Sequence, residues 1–312
     1  MSLSIIFGRF NSLTRALSPF TAGSSDLRAS KFIRYSILGS ILWSIAFALL
    51  GYIFAEGYQA AAKSVSIFII TATFIVIAIL IGYRFMNKRK HVFSHTDFYK
   101  LVAGIISLYA LAKLSELIIR NNSAIISFNL LVQRIFAELV NPIATGFFII
   151  LTNILRPTIL VLAGLLLAYL LYTRGSKKKS FIVCVSIILG ALSELIMKII
   201  IHNPRPANSL IQEYGFSFPS GHATMACIFF LLFIYTLKHT WSKPVKVTLT
   251  LLSILLIILT GASRIYLGVH WFSDVIAGYA LGIFWVSLSI LAIKFIDYEF
   301  KEELMPKKVK PN

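Results

Sequence analysis

The chain has 312 residues, 58% of them hydrophobic and 13% charged, with a mean hydropathy of +0.83. So much apolar surface excludes an ordinary soluble domain and predicts an all-α, polytopic bundle of membrane helices. The net charge of +18 does not signal a nucleic-acid partner, because the basic residues gather between apolar runs, where they set topology beside anionic headgroups.

Residues 3–17 place Leu3, Ile6, Phe7, Phe10, Leu13 and Leu17 at helical spacing, with Arg9 and Arg15 between them. The pattern fits an amphipathic helix on the membrane surface, with an unstructured tail as the alternative. The apolar patch before Arg9 is too short to be a signal-peptide core. A Ser-, Gly- and Pro-rich linker over 19–31 leads to two spans, about 33–55 and 65–85, closed by the basic run 84–91. His91 and His95 have helical metal-pair spacing but no evident third ligand, so they read as loop. A third span over 98–119 carries Lys113 and Glu116 near its end, three apart and suited to mutual pairing.

Residues 120–157 lose apolar continuity at Asn121, Asn122, Arg134, Glu138, Asn141 and Pro142. They read as surface helices with an amphipathic or re-entrant piece at 143–154; a crossing by 143–156 is the competing reading. Spans follow over 158–172 and 181–201, the latter carrying Lys198. After the polar loop 202–219, further spans begin at His222 and at 247, and a last one covers 275–296. Cys184 and Cys227 both fall inside spans, which argues against a disulfide. The basic tail 301–312 closes the chain.

Most of the 30 Lys and Arg residues fall on one side of this layout, in 9–34, 84–100, 174–179, 238–246 and 294–310. Positively charged loops stay cytoplasmic, so both termini are expected inside and the loop 202–219 outside. In a bacterial cell that outer surface is the periplasmic face of the inner membrane.

Three polar clusters interrupt the apolar chain between 198 and 274, and the layout brings all three to one membrane surface. The first holds Lys198, Arg205 and Pro206; the second is Pro219, Ser220, Gly221 and His222; the third holds Ser263, Arg264, His270 and Asp274. His270 and Asp274, four apart, share one helix face, so the carboxylate can fix one imidazole nitrogen and leave the other free to attack. Ser220, Gly221 and His222 open an apolar run, which places their N–H groups at a helix N-terminus fit for an anion. Lys198, Arg205 and Arg264 supply positive charge against a phosphate, and His222 is a second imidazole able to protonate a leaving oxygen. Taken singly, the arginines suit lipid headgroups, Asp274 suits an N-cap, and His222 suits a helix start. Glu194, one turn before Lys198, is placed to pair with it. His202 reads as loop, and Tyr266 and Trp271 as packing or interfacial anchors.

In order and spacing, K-x6-R-P, P-S-G-H and S-R-x5-H-x3-D resemble the three signature motifs of the type 2 phosphatidic acid phosphatase (PAP2) superfamily. The resemblance covers residues 95–296. It implies a six-helix PAP2-like core over 95–300 with two additional N-terminal transmembrane helices within 1–94, and an access region for lipid near 120–157. It also implies a metal-independent phosphatase in which His270 is transiently phosphorylated. His222 is then the acid for the leaving group and Asp274 the orienting carboxylate, while Lys198, Arg205, Ser220, Gly221 and Arg264 hold the phosphoryl oxygens. No cofactor is expected, and Glu213 and Asp274, the two acids between 198 and 274, are too few for a hydrolytic metal centre. The expected substrate is a lipid phosphomonoester or pyrophosphate: undecaprenyl pyrophosphate, phosphatidylglycerol phosphate, phosphatidic acid or a lipid A phosphate. A lipid phosphotransferase using the same phosphohistidine, and a non-enzymatic lipid-binding or transport protein, are the alternative functions.

Overall fold

A computed structural model describes residues 29–54, 95–237 and 241–304. The expected surface helix over 3–17, the span over 65–85 and the position of His91 lie outside them. The chain divides into two compact units, Met1–Ile67 and Phe68–Asn312. In the first, α1 (Ala29–Phe54) overlaps the stretch 33–55 expected as the first span. The second holds α2 (His95–Ile119), α3 (Ser123–Glu138), α4 (Pro142–Ile154), α5 (Pro157–Thr173), α6 (Lys177–Ile201), α7 (Gly221–Leu237), α8 (Lys243–Tyr266) and α9 (Phe272–Leu304). No strand occurs among the described residues.

Local chemistry sets these boundaries. The Asn122 side chain accepts from the N–H groups of Ala124 and Ile125 to open α3, and Asn141 accepts from Ala144 to open α4, with Pro142 in the first turn. Helix α6 stops at His202, which takes the left-handed conformation with φ 52°.

Helices α2, α6, α8 and α9 are long and apolar enough to cross a membrane. At 17 residues each, α5 and α7 reach about 25 Å, short of a hydrocarbon core of about 30 Å. Helices α3 and α4 meet at a bend of 118°, as in a broken span or a re-entrant loop; α4, about 20 Å long, is too short to cross by itself. The helices turn apolar side chains outward, among them Leu162, Phe181, Leu251 and Ile258, as lipid-facing surfaces do. This is a multi-pass membrane protein.

Helix α7 sits at the centre, against α5, α6, α8 and α9. Its apolar residues lie on every side, and from Gly221 to Ile228 each one is buried. Gly278 on α9 allows a close approach to the main chain of α7: a Cβ there would lie 2.6 Å from the carbonyl oxygen of Ser220. A small residue at that point lets the start of α7 lie directly on α9. Polar ties complete the bundle. The Trp285 indole donates to Ser193 at 2.9 Å, and the buried Asp97 joins Lys100 of its own helix to Lys294 of α9. Lys113 and Glu116 pair at 2.8 Å, as their spacing predicts.

Candidate active site

The three polar clusters come from helix ends that meet at one face. The first spans the last turn of α6 and the loop after it. The second is the last of that loop and the start of α7, and the third runs from the end of α8 into the first turn of α9. Main-chain bonds hold them in register. Ser220 N–H donates to the Asp274 carbonyl and Ser217 N–H to the Asn203 carbonyl, each at 2.9 Å, while the N–H groups of Val269 and His270 both donate to the Arg264 carbonyl at 3.2 Å.

His270 and Asp274 are buried, at 3% and 0% exposure. Asp274 Oδ2 lies 3.4 Å from His270 Nδ1. The carboxylate is in contact with the ring but accepts no hydrogen bond from it: its Oδ2 accepts from the Trp271 N–H at 2.8 Å and its Oδ1 from the Asn203 amide at 3.0 Å. The expected imidazole–carboxylate hydrogen bond is therefore a close approach here. The Trp271 bond also makes Asp274 a cap of α9, so its structural and site roles coexist.

Arg205 Nη1 lies 3.3 Å from His270 Nε2, the nitrogen turned away from the carboxylate. The rest of the guanidinium is bonded to main chain. Nε donates to Gly215, Nη1 to Val269, and Nη2 to Tyr214 and Phe216. All five N–H groups are thus engaged, a use of the planar fork that lysine cannot copy. Arg264 is 1% exposed; it donates to Thr152 Oγ1 and to the Glu213 carboxylate. Lys198 Nζ lies 2.6 Å from Glu194 Oε1, the pairing their spacing predicts. Four buried atoms of this group make no hydrogen bond: Ser220 Oγ, Arg264 Nε, His270 Nδ1 and Glu194 Oε1, the last of them in ionic contact with Lys198. Burial first, then the charges of Arg264, Arg205 and Lys198, hold the His270 imidazole uncharged well below its ordinary pKa of 6.5.

Beside His222 and Arg264 is a cavity of ≈ 230 Å³, walled also by side chains of α4, the α4–α5 turn and the loop segment 211–213. A larger, mostly apolar groove of ≈ 530 Å³ runs along α3, past Leu130, Gln133, Ala137 and Val140 to Leu210 and Tyr266. The expected packing role of Tyr266 takes a definite form: its hydroxyl accepts from Asn141 N–H at 3.0 Å and its ring lies 4.6 Å from Phe148, tying α8 to the α3–α4 bend.

Residues 179–297 match the PAP2 superfamily model. Phosphatidylglycerophosphatase B of Bacillus subtilis is 36% identical over 95 residues, 30% of this chain and 44% of that protein. Undecaprenyl-diphosphatase of Sulfolobus acidocaldarius is 29% identical over 135 residues, 41% of this chain and 61% of that protein. The chain thus spans about half the length of the curated relatives it matches. The crystal structure of a transmembrane PAP2-type phosphatidylglycerolphosphate phosphatase from Bacillus subtilis shares the fold, with a TM-score of 0.51 and 23% identity over 66% of this chain and 98% of that one.

Within this PAP2 fold several side chains reach the clusters that motif spacing does not predict. Asn203 links Asp274 to Ser217, and Glu213 and Thr152 occupy two nitrogens of Arg264. Asn129 of α3 bonds Ser273 beside Asp274. Asn203 stands between Lys198 and Arg205, so its place inside the first motif was the available signal; Thr152 and Asn129 carry none.

Proposed function

We propose that this protein is a lipid phosphate phosphatase, hydrolysing a phosphomonoester or pyrophosphate carried on a lipid through a phosphohistidine on His270. The observation that carries the reading is the group of unpartnered buried atoms, Ser220 Oγ, Arg264 Nε and His270 Nδ1, among three cations. Burying such groups unpaired is costly unless a ligand completes them, and two are donors suited to phosphoryl oxygens.

Asp274 lies on the Nδ1 side of His270, which leaves Nε2 as the attacking nitrogen. As phosphate arrives, the Arg205 N–H now directed at Nε2 passes to a phosphoryl oxygen. Nε2 then attacks phosphorus as the bond to the leaving oxygen breaks, and His222 gives that oxygen its proton. Lys198, Arg205, Arg264, Ser220 and the Gly221 N–H hold the equatorial oxygens as charge builds. Water next attacks phosphorus, the P–N bond breaks, His222 takes the proton and phosphate leaves. Among the described residues no three His, Cys, Asp or Glu side chains gather as a metal site, and the arginines and lysine supply the offsetting charge instead. The mostly apolar groove along α3 suits a lipid tail.

Both curated relatives carry the names of phosphatases, which supports hydrolysis over transfer to a second acceptor. The distribution of basic loops supports an outward-facing site with both termini in the cytoplasm. The test is phosphate release from undecaprenyl pyrophosphate, phosphatidylglycerol phosphate, phosphatidic acid and lipid A phosphates, with chelator present. Wild type is expected to release phosphate and His270→Ala to release none while eluting and melting as wild type does. Activity that vanishes with EDTA, or survives in His270→Ala, refutes the mechanism.

A further inference from the structure

The cavity beside His222 has a composition that hydrolysis of a simple ester does not require. It reaches His222 and Arg264, but His270 is not on its wall. With His270 as nucleophile and His222 as acid, it therefore lies on the leaving-group side of the phosphoryl position. Were the leaving group an alcohol, a neutral or apolar wall would serve. The wall instead carries Thr152, Asn153, Arg156 and Gln212, with the Glu213 carboxylate beside Arg264. Arg156, at the turn between α4 and α5, belongs to none of the three motifs, so its charge is additional to the three site cations. Arg264 projects into the same space, 1% exposed and with Nε unpartnered.

We infer that this cavity is a subsite for a second phosphate, held by Arg156 and Arg264 with Asn153 and Gln212 as neutral donors, and that it selects lipid diphosphates over lipid monophosphates. The inference rests on the phosphatase reading above and narrows its substrate class. In the step it describes, the terminal phosphoryl group passes to His270 Nε2. The bond between its phosphorus and the bridging oxygen breaks, and the departing lipid monophosphate keeps that oxygen and takes the proton of His222. Water then releases orthophosphate, so one lipid diphosphate and one water give one lipid monophosphate and one phosphate. Arg156 stabilises the charge that builds on the departing phosphate, a charge an alkoxide leaving group would not spread into this cavity. Glu213, 30% exposed on the loop and paired with Arg264, yields that guanidinium N–H to the incoming anion.

The test compares an isoprenyl diphosphate with the monophosphate of the same chain, in wild type, Arg156→Gln and Arg156→Lys. The ratio of kcat/KM for diphosphate to that for monophosphate is expected to fall about tenfold in Arg156→Gln, the worth of one solvent-exposed charge-assisted contact. Arg156→Lys is expected to recover part of it. A ratio within about twofold of wild type, or a wild type that hydrolyses only the monophosphate, overturns the subsite and leaves the phosphatase reading standing. A wild type that hydrolyses neither removes the phosphatase reading, and binding then decides the subsite. Wild type should bind inorganic pyrophosphate more tightly than orthophosphate and lose that preference in Arg156→Gln. Equal binding of the two anions by wild type, or a preference that Arg156→Gln retains, overturns the subsite by this route too.

Discussion

Arg205 donates towards His270 Nε2 across 3.3 Å while its other N–H groups hold the carbonyls of residues 214–216 and 269. One side chain thus positions the nucleophile and braces the loop around it. Arg205→Lys keeps the charge but can meet no more than three of those acceptors and lacks the fork. We expect kcat/KM for phosphate release to fall by about a hundredfold or more, the scale of losing an aligned oxyanion donor. We also expect a lower Tm, because the loop 214–216 loses donors that brace it. A conservative variant with near-wild-type rate and Tm contradicts this role.

The charge around His270 also fixes a pH response. Burial and the neighbouring cations keep the imidazole neutral well below pH 6.5. The nucleophile is the neutral form, so kcat/KM should not decline on its account as pH drops through 6.5, and its acidic limb should lie lower. Removing one of those cations eases protonation and raises the His270 pKa. In Arg264→Gln, whatever its absolute rate, the acidic limb should therefore move towards 6.5. A pH profile of kcat/KM for the two proteins reads this directly; a limb that does not move, or moves down, contradicts it.

Asn203 acts on the site through Asp274. Its amide donates to Asp274 Oδ1 at 3.0 Å and to Ser217 at 3.0 Å, and so holds the carboxylate that borders His270 Nδ1. Asn203→Ala leaves a buried carboxylate oxygen without its donor, at a cost of about 1–3 kcal/mol. We expect kcat to fall about tenfold with KM nearly unchanged, since no substrate contact is lost. Asn203→Asp should be worse, because two carboxylates would face each other.

The three clusters were legible because their chemistry lies in residue types at short fixed spacings: Lys198 to Arg205, Pro219 to His222, Arg264 to Asp274. The helices were legible because runs as apolar as α6 and α8 have few other uses. What stayed hidden was tertiary. Glu213 lies in the aperiodic loop 202–219, and nothing in its neighbours points to Arg264, 51 positions on. Thr152 reaches the same arginine from α4 across 112 positions. The expected Asp274–His270 hydrogen bond follows from an ideal i,i+4 spacing, but Asp274 sits in the first turn of α9, where the Trp271 N–H is open and takes its Oδ2 instead.

The contact at Gly278 tests whether the start of α7 must lie on α9 for the site to form. Any Cβ there meets the Ser220 carbonyl at 2.6 Å and Ala223 Cβ at 3.0 Å, so backbone or helix has to move. Gly278→Ala should therefore lower the Tm despite the better helix propensity of alanine, because overpacking of about 1–3 kcal/mol outweighs a gain of about 1 kcal/mol. It should also cut kcat, since Ser220 N–H is bonded to the Asp274 carbonyl and the two clusters separate together. Gly146 has nothing within 4 Å of a built Cβ, so Gly146→Ala serves as the control and should leave Tm level or higher. Equal melting of the two variants would show that α9 has room to slide, and that the close approach at Gly278 does not set the geometry of the site.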